Sequence, residues 1–315
     1  MKKLSENRLS SDDISRNFTF AKLVSIMIVV MGHFFGGILW VPTTVALFLF
    51  AFSSAYFTVI RYPQPIDLKA FWRRKIIRLG RAFLIADLFL FLLFQYQHRE
   101  GIFFWQTIPS LFGLTGLLHW LGFENPSPYG AGLWFMTVLI IFYCLYPFVE
   151  AFFQKHAVAL WFLFVGLFLM FVLHYFVHLE YMLWMTSFAF VLGVYVGNHG
   201  WFIFSRKILF SGLVLLVGSL LLCNWVVDFK IINYFLIFFL SVFSVGCMFV
   251  VNMSRYVPRK LLSFSSGSVI YIYLIHTYLF VHLYHLSKGV NFILSLFVIF
   301  VVSYLLSRAE RLIPV

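Results

Sequence analysis

The chain has 315 residues, of which 63% are hydrophobic, 22% are aromatic and only 11% carry a charge. A soluble domain is about half apolar and a quarter charged, so this composition excludes a cytosolic globular enzyme. The net charge of +12 does not indicate a nucleic-acid partner, because excess Lys and Arg in a membrane protein mark its cytoplasmic side. The sequence therefore predicts an integral membrane protein in contact with a lipid bilayer.

Ten apolar runs follow one another along the chain. A transmembrane helix needs about 20 predominantly apolar residues. The runs do not alternate between apolar and polar positions, as the strands of a membrane barrel do. They predict an all-α, polytopic membrane protein with ten helices, near residues 20–39, 43–60, 82–97, 132–149, 157–177, 181–198, 208–227, 231–251, 267–286 and 290–307.

The distribution of basic residues predicts the orientation. With the N-terminus inside, every Lys and Arg except Arg99, Lys230 and Lys288 lies on the cytoplasmic side, as the positive-inside rule requires. An even number of helices places both termini in the cytoplasm. Residues 1–19 are polar, and we interpret them as a cytoplasmic segment before a retained first helix. We expect residues 1–315 to form a single membrane domain.

Residues 98–131 are an exception to this regular pattern. They contain the apolar run Ile102–Leu118, which is interrupted by Pro109 and by several glycines. If this run crossed the membrane, every later loop would change sides and the charge distribution would be lost. We therefore expect an outer re-entrant or interfacial segment. Non-helical backbone at membrane depth must be buried in protein or line a wet cavity, so the segment is predicted to cover a site.

Two polar residues share one face of the first predicted helix. Lys22 lies at its cytoplasmic end, and His33 follows 11 residues later. Eleven residues are close to three helical turns, which separates the two by about 16 Å along the axis. The pair could receive an anion from the cytosol and present it to an imidazole, the commonest general base. The alternative is a snorkelling lysine and a packing histidine.

The segment after the second predicted helix, residues 61–81, is strongly basic. Arg74, Arg78 and Arg81 are spaced i, i+4 and i+7, on one face of a helix. Arginine binds phosphate groups bidentately. One interpretation is an anchor for lipid phosphates, and the other is a site for a phosphorylated cofactor. The density of basic residues favours the cofactor. The basic residues are Arg73, Arg74, Lys75, Arg78 and Arg81.

Other polar residues lie within predicted helices, where a charged group is a functional hypothesis by default. His276 lies in the ninth predicted helix with Tyr271 and Tyr273, and Asp87 lies in the third. Asp87 needs a cationic or hydrogen-bonding partner. The candidate partners are Arg78, Arg81 and Lys22. No group of residues has the spacing of a metal site, so no metal is expected.

In their order along the chain, these motifs resemble those of the acyltransferase family 3 membrane O-acyltransferases, which have about ten helices. Five motifs carry the resemblance. They are Lys22-x10-His33, the phenylalanine-rich segment ending at Ser53-Ser54, Lys75-x-x-Arg78, the aromatic element from Trp134 to Tyr143, and the segment from Ser266 through Ile270-Tyr271 to His276. The family carries Arg where this chain has Lys22 and Lys75, and Lys keeps the charge but loses the planar fork.

The resemblance implies transfer of an acyl group, usually acetyl, from cytosolic acyl-CoA to a hydroxyl of an extracytoplasmic glycan or lipid-linked sugar. The expected location is a cell membrane, such as a bacterial cytoplasmic membrane, with glycan-biosynthesis proteins as partners. The donor would be acetyl-CoA, without a metal. The expected donor-binding residues are Lys22, Arg73, Arg74, Lys75, Arg78 and Arg81. The expected catalytic residues are His33, as general base or acyl carrier, and His276, Tyr271 and Tyr273, which would orient the imidazole or the acceptor. Asp87, Ser53, Trp134 and Tyr143 are expected to contact substrate or support the site.

Two other classes of function stay open. A transporter or flippase for an anionic glycan or lipid intermediate would also have basic residues at the inner mouth and histidines at the midplane. It would predict internal repeats and paired half-helices, which the sequence does not display. A membrane sensor or scaffold without chemistry would leave the Lys22–His33 pair and Asp87 unexplained. Bound CoA in the purified protein would distinguish the three classes.

Overall fold

The computed structural model of the protein describes residues 9–177, 179, 182–200, 205–226 and 230–313. All regular elements in this part of the chain are helical. The α-helices are α1 Ser11–Phe35, α2 Trp40–Arg61, α3 Leu68–Tyr96, α4 Thr107–Leu111, α5 Thr115–Trp120, α6 Trp134–Phe152, α7 His156–Phe176, α8 Leu183–His199, α9 Arg206–Val226, α10 Lys230–Val250, α11 Arg259–Ile275 and α12 Lys288–Leu312. Short 3₁₀ helices cover Gly37–Leu39, Ser254–Tyr256 and His276–Tyr278.

Six helices in the described part are long and apolar enough to cross a membrane. They are Ser11–Phe35, Trp40–Arg61, Trp134–Phe152, His156–Phe176, Asn233–Val250 and Lys288–Leu312. The prediction of an all-helical, polytopic membrane protein is thereby confirmed. Helices also lie at the other four predicted spans, where they are α3, α8, α9 and α11. Of these, α8 and α11 have 17 residues each.

The ends of the first predicted helix were wrong. The run 20–39 is part of α1, which already begins at Ser11 because the Ser10 hydroxyl accepts a hydrogen bond from the Asp13 amide at 3.1 Å. It ends at Phe35, since Gly36 and Gly37 have φ angles of +68° and +63°. Such angles favour glycine and close a helix. Residues 1–8 of the predicted cytoplasmic segment lie outside the described residues.

The basic segment 61–81 is mostly helical, although the third helix was predicted to begin only at residue 82. The connection covers only residues 62–67, and α3 begins at Leu68. The Asp67 carboxylate caps the helix by accepting a hydrogen bond from the Ala70 amide at 3.0 Å. All five basic residues of the segment Arg73–Arg81 therefore lie on α3, which extends well before the apolar run that hydropathy detects.

The ninth predicted span, 267–286, was also wrong. The helix α11 begins at Arg259 and ends at Ile275, and residues 279–287 contain no helix. Side chains of α12 replace helical hydrogen bonds there. Asn291 bonds both the amide and the carbonyl of Leu283 at 3.1 Å, and the Ser295 hydroxyl accepts from the Val281 amide at 2.8 Å. These bonds satisfy non-helical backbone inside an apolar sequence, as backbone polar groups require in lipid.

The chain divides into two compact units. One comprises the described residues of Met1–Arg61 and Val149–Ser265. In this unit α2 packs against α8, α1 and α10. A Cβ atom at Gly193 of α8 would lie 2.8 Å from the Ala55 Cβ, and one at Gly197 would lie 2.7 Å from the Val59 Cβ. Two glycines four residues apart therefore let α8 approach α2 closely, as small residues do between membrane helices.

The other unit comprises Tyr62–Phe148 and the described residues of Ser266–Val315. In it α3 packs against α12 and α4. The stacked rings of Phe71 and Tyr146, whose centres are 5.4 Å apart, also join α3 to α6. A buried cluster of Leu90, Phe94 and Tyr129 lies at the other end of α3. The unit therefore has aromatic packing at both ends of α3.

Residues 98–131 belong to this second unit and contain only two short helices, α4 and α5. Glycines with positive φ, among them Gly113 and Gly130, break the segment into turns. Side-chain hydrogen bonds hold it together, including the 2.6 Å bond between the hydroxyls of Thr107 and Ser127. The segment contains no helix of spanning length. Its position at the outer face stays a prediction.

Candidate active site

The Lys22–His33 pair lies in the first unit, on α1. Lys22 is half-buried, and its Nζ lies 5.3 Å from the centre of the Phe57 ring on α2. His33 is exposed and lies in the last turn of α1, two residues before the helix ends. Because α1 runs from Ser11 to Phe35, Lys22 lies near the middle of the helix, whereas the sequence predicted it at the cytoplasmic end. Both residues are on one continuous helix, so the shared face and the separation of about 16 Å hold.

The neighbour of His33 explains how α2 comes close to this end of α1. A Cβ atom at Gly32 would collide with the Thr43 hydroxyl of α2. The Thr43 hydroxyl in turn donates to the Leu39 carbonyl at 2.7 Å. Glycine at position 32 therefore fixes the tight α1–α2 turn beside the histidine. Sequence reasoning missed Gly32 and Thr43, although a glycine before His33 and two glycines shortly after it were a usable signal.

The basic residues of α3 have two different environments. Arg73, Arg74 and Arg78 are exposed, and Arg81 is half-buried. The guanidinium carbon of Arg74 lies 5.9 Å from the centre of the Tyr62 ring. Exposed arginines on a single helix offer several donors for phosphate oxygens. The predicted face shared by Arg74, Arg78 and Arg81 is therefore part of a real helix.

Lys75 is half-buried and lies among three aromatic rings. Its Nζ lies 3.7 Å from the ring centre of Tyr143, 5.5 Å from that of Phe71 and 5.7 Å from that of Tyr62. We call these three rings and the ammonium group the Lys75 cage. A cation within about 6 Å of an aromatic face is attracted by the ring quadrupole. The cage holds one positive charge beside the exposed arginines. Tyr143 provides the ring closest to that charge.

His276 is fully buried in the second unit, in the 3₁₀ helix that follows α11. Its Nδ1 lies 2.8 Å from the Tyr273 carbonyl and 3.2 Å from the Ile272 carbonyl. Both carbonyls can only accept, so we assign the proton of the neutral ring to Nδ1. This assignment leaves the lone pair on Nε2. Backbone carbonyls, and not tyrosine hydroxyls, therefore set the tautomer of this imidazole.

The hydroxyls of Tyr271 and Tyr273 have other partners. The Tyr271 hydroxyl donates to the Glu310 carboxylate of α12 at 2.9 Å, and the Tyr273 hydroxyl donates to the Gly132 carbonyl at 3.0 Å. Each hydroxyl has one proton, and in both residues that proton is used for packing between elements. The role of these tyrosines in orienting an imidazole or an acceptor stays a prediction.

A loop before α6 is held by the segment that contains His276. The hydroxyls of Tyr273 and Thr277 donate to the carbonyls of Gly132 and Ala131, at 3.0 and 3.1 Å. The Ala131 amide donates to the Tyr278 hydroxyl at 2.9 Å. Three side chains thus fix the backbone on either side of Ala131. Sequence reasoning missed Thr277 and Tyr278 because both fell inside a predicted apolar span.

The remaining predicted residues differ in their surroundings. Ser53 is buried on α2, and its hydroxyl donates to the Phe50 carbonyl of the same helix at 3.0 Å. Trp134 is the first residue of α6, half-buried, with its ring edge-on to Phe135. Both positions serve packing in the structure.

Asp87 is half-exposed on α3. Within the described residues its carboxylate forms no hydrogen bond or ion pair, so neither Arg78 nor Arg81 is the partner that the sequence suggested. The backbone carbonyl of Asp87 accepts a hydrogen bond from the Tyr129 hydroxyl at 3.5 Å. An acid on an apolar helix without a partner is an unusual feature that packing does not explain.

A comparison with protein families determines the functional class of this protein. A family model described as an acyltransferase domain, Acyl_transf_3, matches residues 16–308. The chain belongs to the acyltransferase 3 family. Neither the comparison with curated proteins nor that with solved structures gives a match. With its candidate spans, the protein is a multi-pass membrane acyltransferase, which agrees with the resemblance that its motifs predicted.

Proposed function

We propose that this acyltransferase moves an acyl group, most simply acetyl, from cytosolic acyl-CoA to a hydroxyl of an extracytoplasmic glycan or lipid-linked sugar. The observation that carries the proposal is the basic surface of α3. Three exposed arginines stand there next to a lysine that aromatic rings hold in place. CoA is a phosphorylated donor, and this surface has the donors that phosphate oxygens require.

The exposed arginines define the donor site in this proposal. Arg74 and Arg78 lie on one face of α3, about 6 Å apart along its axis, and Arg73 adjoins them. Their forks bind the CoA phosphates, while Lys75 contributes a fixed point charge. A surface that only anchored lipid phosphates would not need an ordered ammonium group. The Lys75 cage therefore favours a specific phosphorylated ligand.

His33 is the proposed group that acts on the acyl transfer. As general base it removes the proton of the acceptor hydroxyl, whose oxygen attacks the thioester carbonyl. A carbon–oxygen bond forms, the carbon–sulfur bond breaks, and the proton passes to the CoA thiolate. As acyl carrier, the imidazole attacks the thioester first and then yields the acyl group to the hydroxyl. Both routes consume one acyl-CoA and release one CoA thiol.

The proposed topology places the donor and acceptor on opposite sides of the bilayer. In this proposal the ten helices α1 to α3 and α6 to α12 cross the membrane. Both termini and residues 61–81 are cytoplasmic, and residues 98–131 are outside. An impermeant thiol reagent should label Asn125→Cys in intact cells and Lys69→Cys only after permeabilisation. The reverse labelling pattern would contradict the proposed orientation.

Donor binding is tested on the purified protein. Replacing both Arg74 and Arg78 by alanine should weaken acetyl-CoA binding more than about tenfold, because hydrogen bonds to charged groups are worth about 1.5–3 kcal/mol each. Arg99→Ala, which removes an exposed arginine from residues 98–131 of the same unit, is the matched control and should bind normally. If the double variant binds acetyl-CoA with unchanged affinity, the α3 surface is better interpreted as an anchor for lipid phosphates.

Acyl transfer is tested at His33. His33→Gln keeps the size of the side chain but cannot take up the proton, so glycan acylation should fall by about 10²–10⁴-fold while acetyl-CoA binding is retained. Near-normal acylation would show that His33 is a packing residue, and His276 would then be the next candidate for the general base. Translocation of a glycan without acyl transfer would instead support the transporter or flippase function.

A further inference from the structure

Asp87 lies in the apolar part of α3, six residues after Arg81 and nine before Tyr96, which is about 9 and 13 Å along the axis. The buried side chains of Leu90 and Phe94 follow at i+3 and i+7, on the same face of the helix. Asp87 therefore faces the interior of the second unit and not the surrounding lipid. Its half-exposed side chain stays accessible to a ligand.

Two tyrosines are held next to this acid. The rings of Tyr129 and Tyr278 both pack edge-on against Phe94, with ring centres 4.9 and 5.3 Å away. The Tyr278 oxygen is fixed by the Ala131 amide, and the Tyr129 hydroxyl reaches the Asp87 backbone carbonyl. Burial and the negative charge of Asp87 raise the pKa of Tyr129 to about 12, so the phenol keeps its proton.

The carboxylate is the unexplained part of this arrangement. Removing a carboxylate from water costs several kcal/mol unless the protein returns equivalent interactions. Within the described residues, no hydrogen bond or ion pair does so for the Asp87 side chain. A leucine at position 87 would continue the apolar face of Leu90 and Phe94 without this cost. The acid is therefore better explained by a ligand than by the fold.

The chemistry of the three side chains selects the kind of ligand. A carboxylate accepts hydrogen bonds and repels anions, which excludes a second phosphate site. A single acid supplies too few oxygen ligands for a dedicated calcium or magnesium site. Phenols donate and accept, and their ring faces pack against apolar C–H groups. A neutral molecule rich in hydroxyl groups, such as a sugar, matches all three side chains.

We propose that Asp87, Tyr129 and Tyr278 form the binding site for the acceptor sugar of this acyltransferase. This inference rests on the proposed function. Asp87 accepts a hydrogen bond from a sugar hydroxyl, and the two phenols contact neighbouring hydroxyls. The interaction involves binding only, without a covalent step. Asp87 is thus assigned to the acceptor, whereas the basic face of the same helix is assigned to the donor.

The test compares transfer and donor binding in the same variants. Membranes that contain the native acceptor are supplied with radiolabelled acetyl-CoA and purified enzyme, and label in the glycan fraction is measured. Asp87→Asn should lower transfer more than about tenfold at limiting membrane concentration, and additional acceptor membranes should restore most of the rate. Acetyl-CoA affinity should not change. Asp67→Asn, at the start of the same helix, is the matched control and should transfer normally.

A stability measurement separates binding from a structural role. Asp87→Leu should unfold at the same temperature as the unchanged protein or at a higher one, because it removes an uncompensated charge. Tyr278→Phe provides a second variant and should also reduce transfer in a way that acceptor membranes restore. Normal transfer by Asp87→Asn would overturn the proposal, and so would a lower unfolding temperature for Asp87→Leu. If the unchanged protein neither binds nor uses acetyl-CoA, the proposed function itself fails, which is a different result from a selective acceptor defect.

Discussion

The Lys75 cage leads to a prediction whose size follows from its geometry. The Nζ atom is nearest to Tyr143, at 3.7 Å from the ring centre, while Phe71 and Tyr62 are about 2 Å more distant. Tyr143 therefore supplies most of the attraction. Cation–π contacts are worth about 0.5–1 kcal/mol at exposed sites and about 2 kcal/mol where water is excluded. Lys75 is half-buried, so we expect about 1–2 kcal/mol.

The perturbation is Tyr143→Leu, which keeps an apolar side chain but removes the ring face. In the absence of the cage, the ammonium group must be ordered when the donor binds. A loss of 1–2 kcal/mol corresponds to about 5- to 30-fold weaker binding of acetyl-CoA. Tyr143→Phe retains the ring and should bind within about twofold of the unchanged protein. Equilibrium binding of acetyl-CoA to the purified protein provides the assay.

Two results would refute this reasoning. If Tyr143→Phe binds as weakly as Tyr143→Leu, the phenol hydroxyl is responsible and the ring face is not. If Tyr143→Leu binds acetyl-CoA normally, Lys75 does not need the cage to meet the donor. Thermal unfolding of both variants provides the control, because a general loss of packing between α3 and α6 would lower the unfolding temperature together with the affinity.

Two further predictions concern the packing of the first unit. Gly193→Ala places a Cβ atom against the Phe52 carbonyl and the Ala55 side chain. It should lower the free energy of unfolding by about 1–3 kcal/mol, as overpacking does. Gly218→Ala is the control for thermal unfolding, because open space surrounds that position. Asn17 is buried on α1, and its amide donates to the carbonyls of Met248 and Val251 at 2.9 and 2.7 Å. Asn17→Ala should cost about 1–3 kcal/mol and increase hydrogen exchange at the C-terminal end of α10, and unchanged exchange there would contradict the capping role.

The membrane class and the positions of most helices could be predicted because they depend on composition and on long apolar runs. The ends of helices could not, because single side chains determine them. Ser10 and Asp67 cap helices that begin in polar sequence, which a hydropathy window does not detect. Asn291 and Ser295 prevent a helix in apolar sequence by bonding its backbone from α12. In each instance the position of the helix end follows from specific side-chain hydrogen bonds and not from the mean hydropathy of the segment.

The sequence suggested candidate site residues but could not predict their contacts. His276 was selected because an ionisable group in an apolar run is conspicuous. The bonds from Thr277 and Tyr278 to the loop around Ala131 join residues that are nearly 150 positions apart, and no local pattern indicates them. Asp87 was expected to pair with Arg78, Arg81 or Lys22. Its neighbours Tyr129 and Tyr278 come instead from distant segments that only the fold brings together.

The two lysines at positions where the resemblance to the family predicts arginine both lie over aromatic rings. Lys22 lies over the Phe57 ring at 5.3 Å, and Lys75 lies over the Tyr143 ring at 3.7 Å. A lysine ammonium is compact and strongly hydrated, so it loses the bidentate geometry of a guanidinium fork and needs other restraints to be held in one place. Aromatic faces supply such a restraint, and this chain has 43 phenylalanines and 16 tyrosines to provide them. We therefore interpret both lysines as retaining the positive charge that arginine would supply. Ring faces hold the lysine ammonium in place, whereas a bidentate hydrogen-bonded fork would hold a guanidinium group.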